Sequence, residues 1–134
     1  KELLSALLEN RSDLPKAQAD YCRTLQTALA DTDGFRRQAV PLLLYRYFVD
    51  MANMFKRVRS CMNDGAPFAL IVGSNHTVLG GKRFDITTPR HLVEIACFCG
   101  WTHEETVPLQ TYQRYGYHMS NAVNSESLVI VRAV

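Results

Sequence analysis

Three stretches of the sequence carry side chains suited to binding. In Val72-Gly73-Ser74-Asn75 a glycine, a hydroxyl and a carboxamide follow the end of an apolar run. If that run is a strand, this is where open α/β sheets bind ligands, at the carboxyl ends of their strands. Gly73 admits a close backbone approach, and Ser74 and Asn75 supply donors and acceptors. A turn that merely ends the strand accounts for the same residues, so both readings stay open. Gly80-Gly81-Lys82-Arg83 is glycine-bearing and basic. It lacks the Gly-x-x-x-x-Gly-Lys-Ser/Thr spacing that wraps backbone donors around a phosphate. It reads as a solvated basic turn, with Lys82 and Arg83 usable as contacts to a nucleic-acid backbone. The third stretch, Thr111 to His118, sets Tyr112, Tyr115 and Tyr117 beside Arg114. Aromatic faces with a guanidinium stack an unpaired base and hold its phosphates. Tyrosines packed back onto a sheet are the equal alternative.

Nucleophilic and metal chemistry find less support. His76, His91, His103 and His118 are scattered, nothing pairs them with a nucleophile, and most read as surface residues. Cys22, Cys61, Cys97 and Cys99 contain no Cys-x-x-Cys pair. On a helix, Cys97 and Cys99 point to roughly opposite sides, a poor geometry for one metal ion. Reduced cysteines acting as small apolar side chains are the simpler reading. No catalytic residue and no metal ligand is assigned.

The elements that must position these residues follow from periodicity. Helices are expected over Glu2–Glu9 and about Pro15–Ala30, the second with Tyr21, Leu25, Ala28 and Leu29 on its apolar side and Ser12 or Asp13 as its cap. A third, strongly amphipathic helix carries Leu44, Phe48, Met51, Phe55, Val58 and Met62 on one face and Arg46, Asp50, Asn53, Lys56, Arg57 and Arg59 opposite. Pro41 fits its first turn, and Asn63-Asp64-Gly65 ends it. Pro67 to Gly73 is apolar without alternation, which predicts a central parallel strand covered on both faces, with the preceding helix as its crossover. Ser74 to Asp85 reads as a polar loop. Thr88 and Pro89 open a helix that Gly100 stops, with Leu92, Ile95, Ala96 and Cys99 inward. Trp101–Gln110 is an edge or bulged strand because of Pro108. Tyr112 to Asn124 is a polar, aromatic loop, and Ser127–Val134 is a last apolar strand that can pair antiparallel with the one before it.

Composition narrows the class further. At 134 residues, 47% apolar and 21% charged, the chain is globular rather than disordered. No apolar run approaches the roughly 20 residues needed to span a bilayer, and Lys1 to Leu8 lack a signal-peptide pattern. The expected location is cytoplasmic, with no membrane partner. A formal charge of +2 is too mild to mark a nucleic-acid binder by itself. The chain starts at Lys1 without Met, which suggests a piece of something longer.

From Arg36 to Arg132 the sequence resembles the carboxy-terminal part of a class I S-adenosylmethionine-dependent DNA methyltransferase of the amino-methylating kind. The residues that carry the resemblance are Phe35-Arg36-Arg37, Tyr47-Phe48-Val49-Asp50-Met51, Arg57-Val58, Asp64-Gly65, Ile71-Val72-Gly73-Ser74-Asn75, Gly80-Gly81 and Asp85-Ile86-Thr87-Thr88. The helix from His91 into Cys99-Gly100-Trp101 and the strand from Asn124 through Glu126 to Val131 complete it. No one of these strings is diagnostic; their order and spacing make the match. The resemblance implies an α/β fold, a partial Rossmann-like sheet of about three strands with the last two antiparallel. Three helices lie on its N-terminal side, and there is one crossover helix. It divides the chain into a helical segment, 1–34, and half of a methyltransferase-like domain, 35–134.

The family's glycine-rich cofactor loop and its Asp/Asn-Pro-Pro-aromatic motif are both missing; the sequence has no Pro-Pro and no Gly-x-Gly. The resemblance therefore implies part of a site-specific DNA-methylating enzyme, as in restriction-modification systems, inactive alone. S-adenosylmethionine would be bound mainly by residues outside the chain. It implies a target-base or DNA site at Ser74, Asn75, Lys82, Arg83, Tyr112, Arg114, Tyr115 and Tyr117. The partners would be DNA and the missing half of the enzyme, or a second copy paired through an exposed strand edge at Phe68 to Val72. The alternative is a non-catalytic nucleic-acid-binding or oligomerisation module of the same fold.

Overall fold

The computed structural model describes residues 2–109 and 125–134. The chain opens with α1 (Glu2–Glu9), α2 (Lys16–Ala28) and α3 (Phe35–Cys61). There follow β1 (Pro67–Leu79), β2 (Lys82–Ile86), α4 (Thr88–Phe98), β3 (Trp101–Leu109) and β4 (Ser125–Ala133). The strands form one four-stranded sheet, order β2-β1-β4-β3, in which every neighbouring pair is antiparallel. The architecture is α/β, with four helices and four strands. This corrects the expected count of about three strands and the expected parallel neighbour of the Pro67–Gly73 run. β1 and β3 do run in the same direction, and α4 lies on the connection between them. β4, the last strand in the chain, fills the slot between the two and pairs antiparallel with both. No strand precedes α3 among the described residues, so the crossover helix is α4 rather than α3.

Burial follows the pleat. Phe68, Leu70 and Val72 of β1 lie on one face with Val129, Val131 and Ala133 of β4 and with Trp101 of β3. That face meets Tyr45, Phe48 and Phe55 of α3 and Leu92, Ile95 and Ala96 of α4, and Leu7, Leu14 and Cys22 from the first part of the chain join the same core. Each large apolar side chain so buried stabilises the fold by about 1.5–3 kcal/mol. The opposite sheet face carries Ala69 and Ile71, opposite Ile130 and Leu128, with no helix over them: Ala69 is exposed and Ile71 is 69% exposed. The apolar run does not alternate in residue type, yet it alternates in burial. The expectation of cover on both faces is therefore corrected.

The helix boundaries shift for local reasons. α3 starts at Phe35 after Gly34, so Pro41 lies inside it, buried, and not in its first turn. Its buried set is Pro41, Tyr45, Phe48, Ala52 and Phe55, while Leu44, Met51, Val58 and Met62 are only partly covered. In α2 the buried side is Gln18, Ala19, Cys22 and Leu25 rather than the Tyr21–Leu29 stripe. Pro15, with no side-chain cap, stands where Ser12 or Asp13 was expected. β3 is an edge strand with an irregularity between His103 and Glu105.

Two groups tie the layers together. The Trp101 indole N–H donates to the Phe55 carbonyl at 3.1 Å, fixing β3 against α3. Arg59, from the polar side of α3, is not a solvated charge. Its guanidinium donates to the carbonyls of Gly100 (3.2 Å), Met62 (3.2 Å) and Val134, and to Asp64 at 2.6 Å. One side chain thus closes the end of α3, the Gly100 turn and the end of β4. Arg59→Ala is expected to lower stability by about 2 kcal/mol, and Arg59→Lys to restore little of it because an ammonium lacks the planar fork. Urea denaturation of the three proteins measures both differences.

Candidate functional site

β1 changes partner in a single step. Ser74 is its last residue paired with β4, opposite Ser125, and Asn75 is its first paired with β2, opposite Ile86. The polar stretch expected as a loop, Ser74 to Asp85, is instead the outer half of β1 and a hairpin into β2. Gly80 (φ +59°) and Gly81 (φ +78°) make its two-residue turn, the positive-φ pair that a tight hairpin requires. Because the sheet changes sides at Ser74–Asn75, it opens there, and three cavities border the step, two of them sharing Ser74 and Thr87.

The smaller cavity, about 360 Å³, gathers Ser74, Asn75, His76, Arg83, Asp85 and Thr87. The Asn75 carboxamide oxygen accepts the His76 backbone N–H at 2.9 Å, and its amide nitrogen has no hydrogen-bond partner among the described residues. The Arg83 guanidinium is held by Asp85 at 3.0 Å, and both side chains remain largely exposed. Such a pair contributes little to stability and leaves the cation available to a phosphate. The larger cavity, about 640 Å³, lies between α4 and the strands, where Ser74 and Thr87 again form part of the wall, with Arg90, Glu94 and His103. His103 Nε2 is 2.8 Å from the Thr106 hydroxyl.

Three of the sequence-derived residues, Ser74, Asn75 and Arg83, border the smaller cavity. Asn75 pairs with Ile86 and Arg83 with Val78, however, so the Asn75 and Arg83 side chains leave opposite faces of the hairpin and meet the cavity from different sides. Lys82 does not join them. Successive residues of a strand face opposite ways, and its ammonium sits 5.3 Å from the Phe84 ring centre, in a recess against α2 beside Asp20 and Thr24. Tyr112, Arg114, Tyr115 and Tyr117 lie outside the described residues.

The glycine turn is not an anion cradle, because an anion of the chain already occupies it. The Asp33 carboxylate accepts N–H bonds from Ala30 (2.9 Å) and Gly80 (2.8 Å), and its side chain is only 5% exposed. Those two backbone donors, with Arg37 beyond them, hold its pKa below the ordinary carboxylate value. Gly80 admits no side chain: a Cβ there would fall 2.1 Å from the Ala28 carbonyl oxygen.

A buried polar cluster escaped the sequence reading. Gln18, fully buried, donates from Nε2 to His91 Nδ1 at 3.0 Å and to the Glu94 carboxylate. His91 is buried rather than at the surface, its ring between Tyr21 (4.8 Å) and Phe48 (5.2 Å). Burial lowers its pKa, against an opposing pull from Glu94. The cluster joins α2 to α4 and holds Glu94 at the rim of the larger cavity. Its sequence signal was Gln18 itself, three and seven residues before the stripe positions Tyr21 and Leu25. Burial also pushes the Cys22 thiol up to about 12, which removes it as a nucleophile. Cys97 is exposed and Cys99 buried, on different sides of the end of α4 as expected.

Among the described residues no group of three or more His, Cys, Asp or Glu is placed to hold a metal ion, and no helix is long and apolar enough to cross a membrane. Comparison with protein-family models, with curated proteins and with solved structures found no match for this chain.

The two buried groups give separate acid windows. His91 has a folded pKa below the ordinary 6.5, so the unfolded chain takes up its proton first and stability falls as the pH drops below 6.5. Asp33 has a folded pKa below the ordinary 3.8, so its contribution is complete above 3.8 and is lost as the pH falls through the lower folded value. Thermal midpoints across pH should show the first slope abolished by His91→Gln, whose amide oxygen still accepts from Gln18. The second should be abolished by Asp33→Asn.

Proposed function

We propose that this chain is the carboxy-terminal part of a DNA amino-methyltransferase and that the Ser74–Asn75 step is the floor of its target-base site. The observation that carries the reading is the convergence of Ser74, Asn75 and Arg83 on one cavity at the point where β1 passes from β4 to β2. A carboxamide and a hydroxyl read the edge of a base taken out of the stack, and a nearby guanidinium holds its flanking phosphate. The antiparallel pairing of the last two strands, β3 and β4, is the part of the implied half-sheet that supports this reading; the four-stranded, wholly antiparallel order departs from it. Arg46, Lys56 and Arg57 are exposed along α3 and add cations for backbone contact. The resemblance also implies stacking and phosphate-binding roles for Tyr112, Arg114, Tyr115 and Tyr117, which lie outside the described residues.

The described residues do not fit S-adenosylmethionine. The one glycine turn in the hairpin gives its Gly80 N–H to Asp33, and the paired-proline motif for the target amino group does not occur. Cofactor binding and methyl transfer therefore belong to residues outside this chain, and no step through the cofactor is assigned to it. The chain's own part is to bind DNA and receive the base. Lys82, turned toward α2, contributes at most to long-range attraction.

A non-catalytic oligomerisation module is the second reading, favoured by the uncovered apolar strand edge of β1. Fluorescence anisotropy with labelled DNA duplexes separates the two. A duplex with a mismatched adenine, cheaper to extrude than a paired one, should bind more tightly than the fully paired duplex. Asn75→Ala should reduce that preference by about tenfold. Arg83→Ala should weaken both duplexes alike and flatten the salt dependence. Absence of DNA binding at low salt, or an unchanged preference in Asn75→Ala, contradicts the proposal.

A further inference from the structure

The three free strand edges of the sheet differ in one respect. The outer edge of β2 lies against α2, where the Tyr21 hydroxyl donates to the Asp85 carbonyl at 2.8 Å, and the strand carries Lys82, Arg83 and Asp85. The outer edge of β3 carries His103, Glu104, Glu105 and Pro108 and is broken by an irregularity. Charges, proline and bulges are the usual means of blocking further strand pairing. The third edge, the side of β1 away from β4 over Phe68 to Val72, has none of them. β2 begins to pair only at Asn75, and no other hydrogen bond among the described residues reaches Phe68 to Gly73. Among the described residues its backbone donors and acceptors on that side have no partner.

The surroundings specify what can fill the edge. On the helix side, a groove of about 380 Å³ runs along the edge, walled mainly by Leu44, Tyr47 and Met51 of α3 and by Leu70, with Asn75 and Thr88 as its polar lining. On the other side lie Ala69 and Ile71, both exposed. An added strand must therefore be apolar at both alternate sets of positions: one set enters the groove, and the other extends the bare face. Among the described strands with a free edge, only β1 satisfies this, with Phe68, Leu70 and Val72 inward and Ala69 and Ile71 outward. It carries no charge from Pro67 to Gly73, so pairing with itself sets no like charges together.

We infer that the free edge of β1 pairs antiparallel with the same edge of a second copy across a two-fold axis, joining two four-stranded sheets into one. The arrangement is isologous and closed, so it stops at a dimer. The inference does not rest on the DNA-binding reading and is tested without DNA.

Light scattering on the full chain should show a dimer of twice the 15.2 kDa chain mass, dissociating on dilution. Amide hydrogen exchange should show protection of Phe68 to Val72 that rises with protein concentration. Ile71→Lys and Ala69→Lys change exposed positions, so each variant should keep the wild-type circular dichroism and the thermal midpoint that the wild-type protein shows when diluted to monomer, while no longer dimerising. A monomer at millimolar concentration, a dimer that both lysine variants retain, or association into open-ended polymers would overturn the inference. So would a monomer that gains protection at Phe68 to Val72 only when an extended apolar peptide is added, an outcome that assigns the edge to a different polypeptide.

Discussion

The insertion of β4 between β1 and β3 is the constraint on which the rest of the structure depends. β1 and β3 run the same way and cannot pair through a short turn, since a parallel pair needs a crossover. The chain makes that crossover with α4 and then returns its last segment, antiparallel, between the two strands it has already laid down. The pairing spans long sequence separations, Pro67 with Arg132 and Ser74 with Ser125, so its loop-closure entropy must be recovered from packing. Val129 and Val131 of β4, almost fully buried, supply that packing, and Arg59 clasps the strand's end to α3 and to the Gly100 turn. β4 and β2 lie on opposite sides of β1, and the step at Ser74–Asn75 is where pairing with β4 on one side ends and pairing with β2 on the other begins.

The same constraint explains why the sheet is one-sided. α3 and α4 pack on the face that holds Phe68, Leu70, Val72, Val129 and Val131, and α1 and α2 join the same core by packing on α3. Among the described residues, the other face keeps Ile71 and Ala69 uncovered and the edge of β1 over Phe68 to Gly73 has no strand beside it. The exposed aliphatic surface and the open ladder occur in the same five residues, which is why a single apolar strand can satisfy both.

Much of this was legible in the sequence where local signals agreed. Thr88-Pro89 and Gly100 bracketed α4 to within a residue or two, and Pro108 marked β3 as an edge strand. The failures came where tertiary context overrode a local pattern. The run Pro67–Gly73 is apolar at every position because half of it is core and half is bare face, so residue type concealed the alternation. Ser74-Asn75-His76-Thr77 looked like a loop because its residues are polar, although Val78, Leu79, Phe84 and Ile86 flank a glycine pair suited to a hairpin. Pro41 was placed in a first turn that the helix extends past, and Arg59, on the polar side of the helix, carries no local signal of its role as a clamp. For the site, proximity in sequence misled at Lys82 and Arg83, since adjacent strand residues face apart. Gly80-Gly81 proved to serve Asp33 rather than a ligand. The Gln18–His91–Glu94 cluster was missed because its members lie far apart in the chain and only the packing of α2 on α4 brings them together.

The central claim is that the Ser74–Asn75 step, rather than the basic side of α3 alone, receives nucleic acid. Amide hydrogen exchange of the full chain with and without a duplex containing a mismatched adenine tests it most directly, because it reports on the backbone position by position. The account predicts added protection centred on Gly73 to Thr77 and on Ile86 and Thr87, the walls of the cavity at the step. Protection confined to the exposed side of α3, with β1 unchanged on saturation with DNA, would contradict it.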